Sequence, residues 1–195
     1  MSSGLKNGDK KTLIVNLFSG PSAGKSTGAA YIFTKLKMDY IDAELVTEFA
    51  KDKTWERNSM VLSNQFYVFG KQAFRLARVA GQVDVAITDS PLLLSNYYAG
   101  NDPVMENFKK ACVDVFNTYD NVNFFLNRVK PYNPNGRSQT EEEADAISVA
   151  LKQMLNDYNV IYEEVNGEES GYEIIYQYIK MLLKQRGVEG LSNYN

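Results

Sequence analysis

A turn of small residues between an apolar run and a helix-like run constrains this chain more than any other feature. Residues 15–27 read VNLFSGPSAGKST and contain the triplet Gly24-Lys25-Ser26. In such a turn consecutive backbone N–H groups curl around the β- and γ-phosphates of a nucleotide, and the following helix offers the positive end of its dipole. The order of strand, turn, Lys-Ser and helix therefore predicts that the chain binds a nucleoside triphosphate.

Three residues of this turn have specific predicted roles in phosphate and metal binding. Lys25 would add a mobile positive charge beside the phosphates, and Ser26 would ligate magnesium. Gly24 would let the backbone approach the phosphates without a Cβ. The turn departs from the pattern G-x-x-x-x-G-K-[ST], because Ser19 stands at the first glycine and the glycine is displaced to Gly20. The residues predicted to bind the nucleotide are Ser19, Gly20, Pro21, Ser22, Ala23, Gly24, Lys25, Ser26 and Thr27.

Composition limits the chemistry that such a chain can use. The 195 residues, 44% of them hydrophobic, suffice for one sizeable core, so we expect a flexible tail at 1–11 and a single domain at 12–195. Histidine is absent, so proton transfer must fall to a carboxylate, a lysine or a tyrosine. The single cysteine, Cys112, permits no disulfide framework within the chain. A net charge of −3 argues against coating of nucleic acid by the whole surface but leaves a local basic groove open.

Apolar periodicity predicts alternating strands and helices. Short apolar runs indicate five strands, at 12–18, 43–47, 83–88, 122–126 and 160–165. The segments between them predict helices, including one long helix at 58–79. Such alternation is typical of parallel crossover connections, and predicts a three-layer α/β/α fold around a five-stranded parallel sheet. No run approaches the length of a membrane span, so we expect a cytoplasmic protein without membrane contact.

Ligands of such a fold bind at the carboxyl ends of the strands, where two acidic residues are candidates. Asp89 follows the third strand and could hold the water shell of the magnesium ion, although a helix-capping role before Pro91 is an alternative. Glu48 follows the second strand and could activate or orient an attacking hydroxyl. Glu48 could also be a solvated surface residue, and Asp52 could substitute for it as the base.

Two arginines flank a loop that holds prolines, asparagines and a glycine. Arg128 and Arg137 bound this stretch, and the whole loop spans about 128–140. A mobile arginine loop can exclude water and neutralise the charge of a phosphoryl-transfer transition state, because the guanidinium binds phosphate oxygens in pairs. We therefore predict a lid here, with both arginines catalytic; plain exposed charges are the alternative.

Polar residues on the predicted long helix could line an acceptor pocket with aromatic neighbours. The residues predicted to bind the acceptor are Glu48, Trp55, Gln65, Lys71, Gln72 and Arg75, with Phe66 and Tyr67 beside them. Lys71, Arg75 and Arg78 also form a basic stripe that could follow a nucleic-acid backbone. A core position for the aromatic residues and a solvated helix face for the basic ones are the alternatives.

Several motifs together resemble a known family. They lie at residues 17–27, 44–52, 70–72, 88–91 and 136–137. Over nearly its whole length the chain resembles the small P-loop kinases carried by tailed bacteriophages, which are often labelled as ATPases. That group is similar to thymidylate kinases and ribosylnicotinamide kinases, and it includes enzymes that phosphorylate 5-hydroxymethyluridine within phage DNA. The resemblance implies ATP and Mg²⁺ as co-substrates, and the host cytoplasm as location if a phage encodes the chain.

The resemblance and the residues together predict a kinase. Its γ-phosphate acceptor would be a hydroxyl of a nucleoside, nucleotide or modified base, most specifically 5-hydroxymethyluridine in DNA. A small-molecule nucleoside, nucleotide or ribosylnicotinamide kinase is one alternative, and an ATPase switch without a hydroxyl acceptor is another. A binding protein that has lost catalysis through Ser19 is a third. The Asp-Arg pair of thymidylate kinases is here Asp89-Ser90, which argues against thymidine monophosphate as the acceptor.

Overall fold

A computed structural model describes residues 10–134 and 139–188 of the chain. Within these residues five strands form one sheet in which every neighbouring pair is parallel. Their order across the sheet is β2-β3-β1-β4-β5, so β1 lies at the centre and β2 lies at an edge. In chain order the strands are β1 (Leu13–Phe18), β2 (Ala43–Val46), β3 (Val85–Thr88), β4 (Asp120–Asn127) and β5 (Glu163–Asn166).

Helices connect the strands and cover both faces of the sheet. They are α1 (Lys25–Met38), α2 (Phe49–Trp55), α3 (Ser59–Ser63), α4 (Gln65–Ala77), α5 (Leu94–Tyr98), α6 (Glu106–Phe116), α7 (Glu141–Asp157) and α8 (Glu169–Gln185). One short 3-10 helix, Pro103–Met105, precedes α6. None of the helices in the described ranges is long and apolar enough to cross a membrane.

The alternation of side chains along β1 divides the core into two layers. Leu13, Val15 and Leu17 pack with buried residues of α1 and α8 on one face. Ile14 and Phe18 pack on the other face with buried residues of α4 to α7. Successive side chains of a strand point to opposite faces, so a central strand buried on both faces requires helices on each side. The predicted three-layer α/β/α fold with a five-stranded parallel sheet is confirmed.

The long helix predicted at 58–79 is wrong, because the chain forms α3 and α4 there. The side chain of Asn58 accepts a hydrogen bond from Val61 N, and that of Asn64 accepts one from Tyr67 N, each at 3.1 Å. Asn64 adopts φ −90° and ψ 86°, outside the helical region. Asparagine side chains compete with the helix for backbone N–H groups and favour helix starts, so the second asparagine begins a new helix.

Side chains cap the starts of two helices. Thr140 and Glu143 form a reciprocal capping box at the start of α7. Asp102 accepts a hydrogen bond from Val104 N at 2.9 Å, immediately before the 3-10 helix. Strand boundaries were less accurate: β3 begins at Val85 and β5 at Glu163, each later than the apolar run suggested. The carboxyl ends of β1, β2 and β3 nevertheless meet at one rim of the sheet, because these strands are neighbours in register.

Candidate active site

The turn between β1 and α1 is fixed by close packing against two other helices. A Cβ at Gly20 would lie 2.5 Å from the carbonyl oxygen of Ala144 in α7. Gly24 has φ +93°, and a Cβ there would overlap the hydroxyl of Tyr172 in α8. Tyr172 donates hydrogen bonds to the carbonyl oxygens of Gly24 and Gly167, at 3.1 and 2.9 Å. Both glycines are therefore required by the shape of this turn.

The displaced glycine of the motif has a structural explanation. Ser19 is buried and does not adopt a positive φ, so the first position of the motif accepts a side chain here. Its hydroxyl donates to the carbonyl oxygen of Gly20 at 2.8 Å and accepts a hydrogen bond from Lys25 Nζ at 3.0 Å. The position that requires glycine is instead Gly20, which packs against α7.

Lys25 and the start of α1 form the cationic part of the site. Lys25 Nζ donates to the carbonyl oxygens of Ser19 and Gly20, at 3.0 and 3.2 Å, and so lies over the turn. No described side chain caps the N-terminus of α1, and its first turn carries no acidic residue. Free N–H groups and the positive end of the dipole at a helix N-terminus favour an anion. The arrangement can bind the phosphates of a nucleotide.

Asp89 supplies a buried carboxylate beside this turn. It follows Thr88, which pairs with Asn16 of β1, and only 5% of its surface is exposed. Its Oδ1 is buried without a hydrogen-bond partner among residues 10–134 and 139–188. A buried carboxylate oxygen without a protein partner needs a cation or water. No group of three or more acidic or cysteine ligands occurs in the same described ranges, so a magnesium ion here would also need Ser26 and phosphate oxygens.

Glu48 follows the edge strand β2, and Asp89 lies between it and the turn, because β3 separates β2 from β1. Val46 pairs with Thr88, which places the next residues of β2 and β3 side by side. Burial raises the pKa of the Glu48 carboxyl above its ordinary value of 4.5. The Lys25 charge acts in the opposite direction, and the Asp89 charge raises this pKa further. Glu48 is thus a half-buried carboxylate in electrostatic contact with the two other candidate residues.

Gln72 and Arg75 hold the backbone on both sides of Glu48. Gln72 Oε1 accepts a hydrogen bond from Phe49 N at 3.0 Å, and its amide donates to Thr47 O at 3.4 Å. Arg75 donates to Thr47 O at 3.0 Å and to the Asp52 carboxylate at 2.8 Å. Both residues were predicted to bind the acceptor. In the structure their direct partners are protein groups that fix the position of Glu48, and Asp52, the alternative base, is paired with Arg75.

Sequence reasoning assigned no role to two residues close to Glu48. Lys51 lies one helical turn after Glu48, and its Nζ donates to Ser26 Oγ at 3.4 Å. Tyr98 lies on α5; burial of the phenol and then the Glu48 charge raise the pKa of Tyr98 to about 12. The spacing from Glu48 to Lys51 was a signal that could have been used. Nothing in the sequence around Tyr98 places it near Glu48.

The remaining predicted acceptor residues are more dispersed. Gln65 is buried and donates to Leu62 O at 2.8 Å, and its Oε1 has no partner among the described residues. Trp55 is 67% exposed at the end of α2. The amine of Lys71 lies 5.3 Å from the centre of the Tyr67 ring, on the outer face of α4. Contact of these three residues with an acceptor stays a prediction.

The structure describes only one of the two arginines that were predicted to be catalytic. Arg128 forms ion pairs with Glu141 and Asp145 of α7, and its pKa is raised by hydrogen bonds first to Asp145 and then to Glu141. Arg137 lies outside the described residues. The loop does reach the phosphate turn, because Asn133 N donates to Ser22 Oγ at 2.9 Å. A mobile lid and a role for either arginine at the phosphates stay predictions.

Comparison with known proteins agrees with this geometry. A family model described as an AAA domain matches residues 14–171, and the chain belongs to this family. Two solved structures are similar in fold. A shikimate kinase from Bacteroides thetaiotaomicron has a TM-score of 0.50 at 17% identity, covering 88% of this chain and 98% of that one. A deoxyadenosine kinase from M. mycoides, solved with the products dCMP and dCDP, has a TM-score of 0.54 at 18% identity, covering 86% and 99%.

These comparisons define the class of protein and no more. No curated protein matches the chain at a significant level. Identities of 17% and 18% show the fold alone, so the chain has the α/β fold of P-loop kinases. A phosphate-binding turn on this fold suggests a nucleotide-dependent enzyme.

Proposed function

We propose that this protein is an ATP-dependent kinase that transfers the γ-phosphate to a hydroxyl of a nucleoside, nucleotide or modified base. The observation that carries the proposal is the position of Glu48, which follows β2 next to the buried Asp89 because Val46 pairs with Thr88. A base at this position lies where an acceptor hydroxyl would meet the terminal phosphate. Such a carboxylate can take the proton of an acceptor hydroxyl or of a water molecule, and the fold that the chain shares with two kinases favours the hydroxyl.

The nucleotide side of the proposed site uses residues of the phosphate turn and their neighbours. The backbone N–H groups of Gly20 and of 22–26 bind the β- and γ-phosphates, whereas Pro21 has no N–H to donate. Lys25 moves from Ser19 onto the phosphate oxygens. Ser26 and Asp89 would hold Mg²⁺, which would neutralise charge on the phosphates. The fit of these residues to Mg²⁺ rests on Oδ1 of Asp89, which has no hydrogen-bond partner among the described residues. A buried carboxylate oxygen is suited to an ion with a water shell.

The chemistry on the acceptor side is a proton transfer coupled to phosphoryl transfer. The acceptor oxygen forms a bond to the γ-phosphorus as the bond from that phosphorus to the bridging oxygen of ADP breaks. The hydroxyl proton passes to Glu48, whose raised pKa brings it nearer to neutral pH than an ordinary glutamate. Lys51, which already contacts Ser26 Oγ, stabilises the charge of the transferring group. We propose the same task for Arg128 and Arg137, on closure of the 128–140 loop.

The acceptor class is supported by Gln65, a predicted acceptor residue, and by the similar structures. One of these binds deoxycytidine nucleotides as products, which supports a nucleoside-type acceptor for this fold. Gln65 carries a buried amide oxygen without a described partner, and an amide is suited to the edge of a base. Within this class, 5-hydroxymethyluridine in DNA is the most specific acceptor that the sequence resemblance implies.

The test is transfer of labelled γ-phosphate from ATP in the presence of magnesium. The acceptors are matched DNA strands with thymine or 5-hydroxymethyluracil, free nucleosides, nucleoside monophosphates and nicotinamide riboside, with shikimate as an acceptor outside the class. We expect label on at least one nucleoside-type acceptor and none on shikimate. Glu48→Gln should slow this transfer about 10²-fold or more, whereas Asp52→Asn should retain it.

Each other outcome changes the proposal. Label on the hydroxymethylated strand alone would establish a DNA-base kinase, and label on a small molecule alone would name that acceptor instead. Release of inorganic phosphate at one rate with and without every acceptor would overturn the kinase assignment in favour of an ATPase switch. Tight ATP binding without either reaction would indicate a protein that has lost catalysis.

A further inference from the structure

A groove of about 450 Å³ runs along the outer face of α4 beside the edge strand β2. Its lining is polar and aromatic at once: Leu45, Val46, Thr47, Phe49, Lys53, Tyr67, Lys71, Phe74, Arg75 and Arg78. Four of these residues are cationic in a chain whose net charge is −3. The groove is therefore a local exception to the charge of the molecule, and its charge favours an anionic occupant.

The cations form a regular row because of helix geometry. Lys71, Arg75 and Arg78 are four and then three residues apart, a spacing that places side chains on one face of a helix. Neither Lys71 nor Arg78 forms an ion pair with any residue in the described parts of the chain. Arg75 and Lys53 are partly compensated by Asp52 and Glu56. A row of charges with two uncompensated members is suited to successive phosphates.

Aromatic rings alternate with these cations. Phe74 is 66% exposed and Tyr67 is 44% exposed, so both rings offer faces to solvent. The Lys71 amine lies 5.3 Å from the Tyr67 ring centre, and the Arg75 guanidinium lies 5.4 Å from that of Phe49. Cations hold a phosphate backbone and exposed rings stack on unpaired bases, which is the combination found in grooves for single-stranded nucleic acid. An acidic peptide would use the cations but not the rings.

The groove reaches the residues on either side of Glu48 in the candidate active site. Thr47 and Phe49, the residues on either side of Glu48, both line it. Arg75 joins the two, since it lines the groove and donates to Thr47 O at 3.0 Å. We infer that this groove binds single-stranded nucleic acid and presents one nucleotide of that strand to Glu48. The inference deepens the proposed function, because it names the form in which the acceptor reaches the site.

The experiment measures binding of a fluorescent oligothymidylate by anisotropy at several salt concentrations, with no ATP present. The test variant is Lys71→Ala with Arg78→Ala. Its matched control is Lys37→Ala with Lys110→Ala, which removes two exposed lysines of α1 and α6 and so changes the net charge equally. We expect the test variant to bind about tenfold more weakly, with a salt slope lower by about two, because each phosphate contact contributes about one. The control should stay within about twofold of the wild type.

A second pair of variants tests the stacking. Phe74→Leu should weaken binding about fivefold or more and leave the salt slope unchanged, whereas Phe74→Trp should restore the wild-type affinity. Circular dichroism of all variants verifies folding. The inference is overturned if the wild type does not bind, if both charge variants lose affinity equally, or if an acidic peptide or polyphosphate competes as well as the oligonucleotide.

The groove and the proposed kinase activity can be disproved independently of each other. Oligonucleotide binding by a protein that transfers no phosphate would retain the groove and overturn the kinase assignment. Transfer to free nucleosides by a protein that binds no oligonucleotide would do the reverse.

Discussion

The phosphate turn and the acceptor side meet at one rim of the sheet, but they are built differently. The turn follows β1, whose six residues are all buried, and it packs against α7 and α8 through Gly20 and Gly24. The acceptor side follows the edge strand β2, in which two of four residues are buried. Of its short helices, α2 buries only Phe49 and α3 buries no residue.

This difference in burial predicts which part of the site tolerates substitution and which part does not. A turn fixed by backbone contacts on two helices leaves little freedom for substitution, because interiors pack without spare volume. Helices with few buried residues can change sequence and position at small cost in stability. We therefore expect nucleotide binding to depend on β1 and α1, and the choice of acceptor to depend on α2 to α4. Variants of the two regions test this division, and those of the phosphate turn should have the strongest effects.

Lys25→Ala should have the largest effect, because it removes the charge that lies over the phosphate turn. We expect phosphate transfer to fall about 10³-fold or more, the scale for removal of a main transition-state donor. The measurement is steady-state transfer to the best acceptor. Lys37→Ala is the matched control, since Lys37 lies about 18 Å further along the same helix. Appreciable transfer by the Lys25 variant would contradict the role of the turn.

Glu48→Gln should lower the catalytic rate about 10²-fold to 10⁴-fold and leave ATP affinity unchanged, because it removes the base alone. The pH profile provides a second readout. The carboxylate must be deprotonated to act, so wild-type activity should fall as pH drops through the raised pKa of Glu48, above 4.5. The variant should lack this acidic limb. An identical limb in both proteins would assign it to another group.

Lys51→Ala should lower the catalytic rate about tenfold, the effect of losing one charge-assisted hydrogen bond to phosphate. Lys51→Arg should recover most of the rate, because it keeps a charge near Ser26. Transfer to a small acceptor is the measurement, with Lys53→Ala as the control two residues further along α2. If the Lys53 variant loses as much, the effect is general to the helix and not specific to Ser26.

The smallest effects should come from two buried side chains that support opposite sides of the site. Tyr172→Phe removes the hydrogen bond to Gly167 O and Gln72→Met removes the one from Phe49 N, each at about 1–2 kcal/mol of unfolding free energy. Tyr172→Phe should weaken ATP binding through Gly24, and Gln72→Met should lower the catalytic rate through Glu48. Denaturant unfolding, ATP titration and initial rates distinguish the two. The division fails if both variants change the same kinetic constant.

Much of the fold could be predicted because its signals are local. The alternation of strands and helices follows from apolar periodicity, and the capping box at Thr140 needs only four consecutive residues. The break before Gln65 was missed because apolar periodicity continues across it, and the cap of Asn64 outweighs that pattern. Strand β5 began later than predicted, since an apolar run does not state which of its residues find a pairing partner.

The site was less predictable than the fold. The positions of Glu48 and Asp89 on one rim follow from the rule that parallel strands share a carboxyl edge, so sequence sufficed for them. Their electrostatic contact depends on β2 and β3 being neighbours. The hydrogen bonds of Gln72 and Arg75 to residues 47 and 49 join segments more than 20 residues apart, and helix spacing alone gave them a different role.

The sequence by itself determined the phosphate turn, because its binding groups are consecutive backbone N–H groups whose geometry depends on adjacent residues. It also determined the layered α/β architecture through apolar periodicity. The tertiary structure decided why glycine stands at Gly20, where α7 leaves no room for a Cβ. It also decided which cation reaches Ser26 and which side chains hold Glu48, because these contacts depend on strand order and helix packing over long separations in the chain.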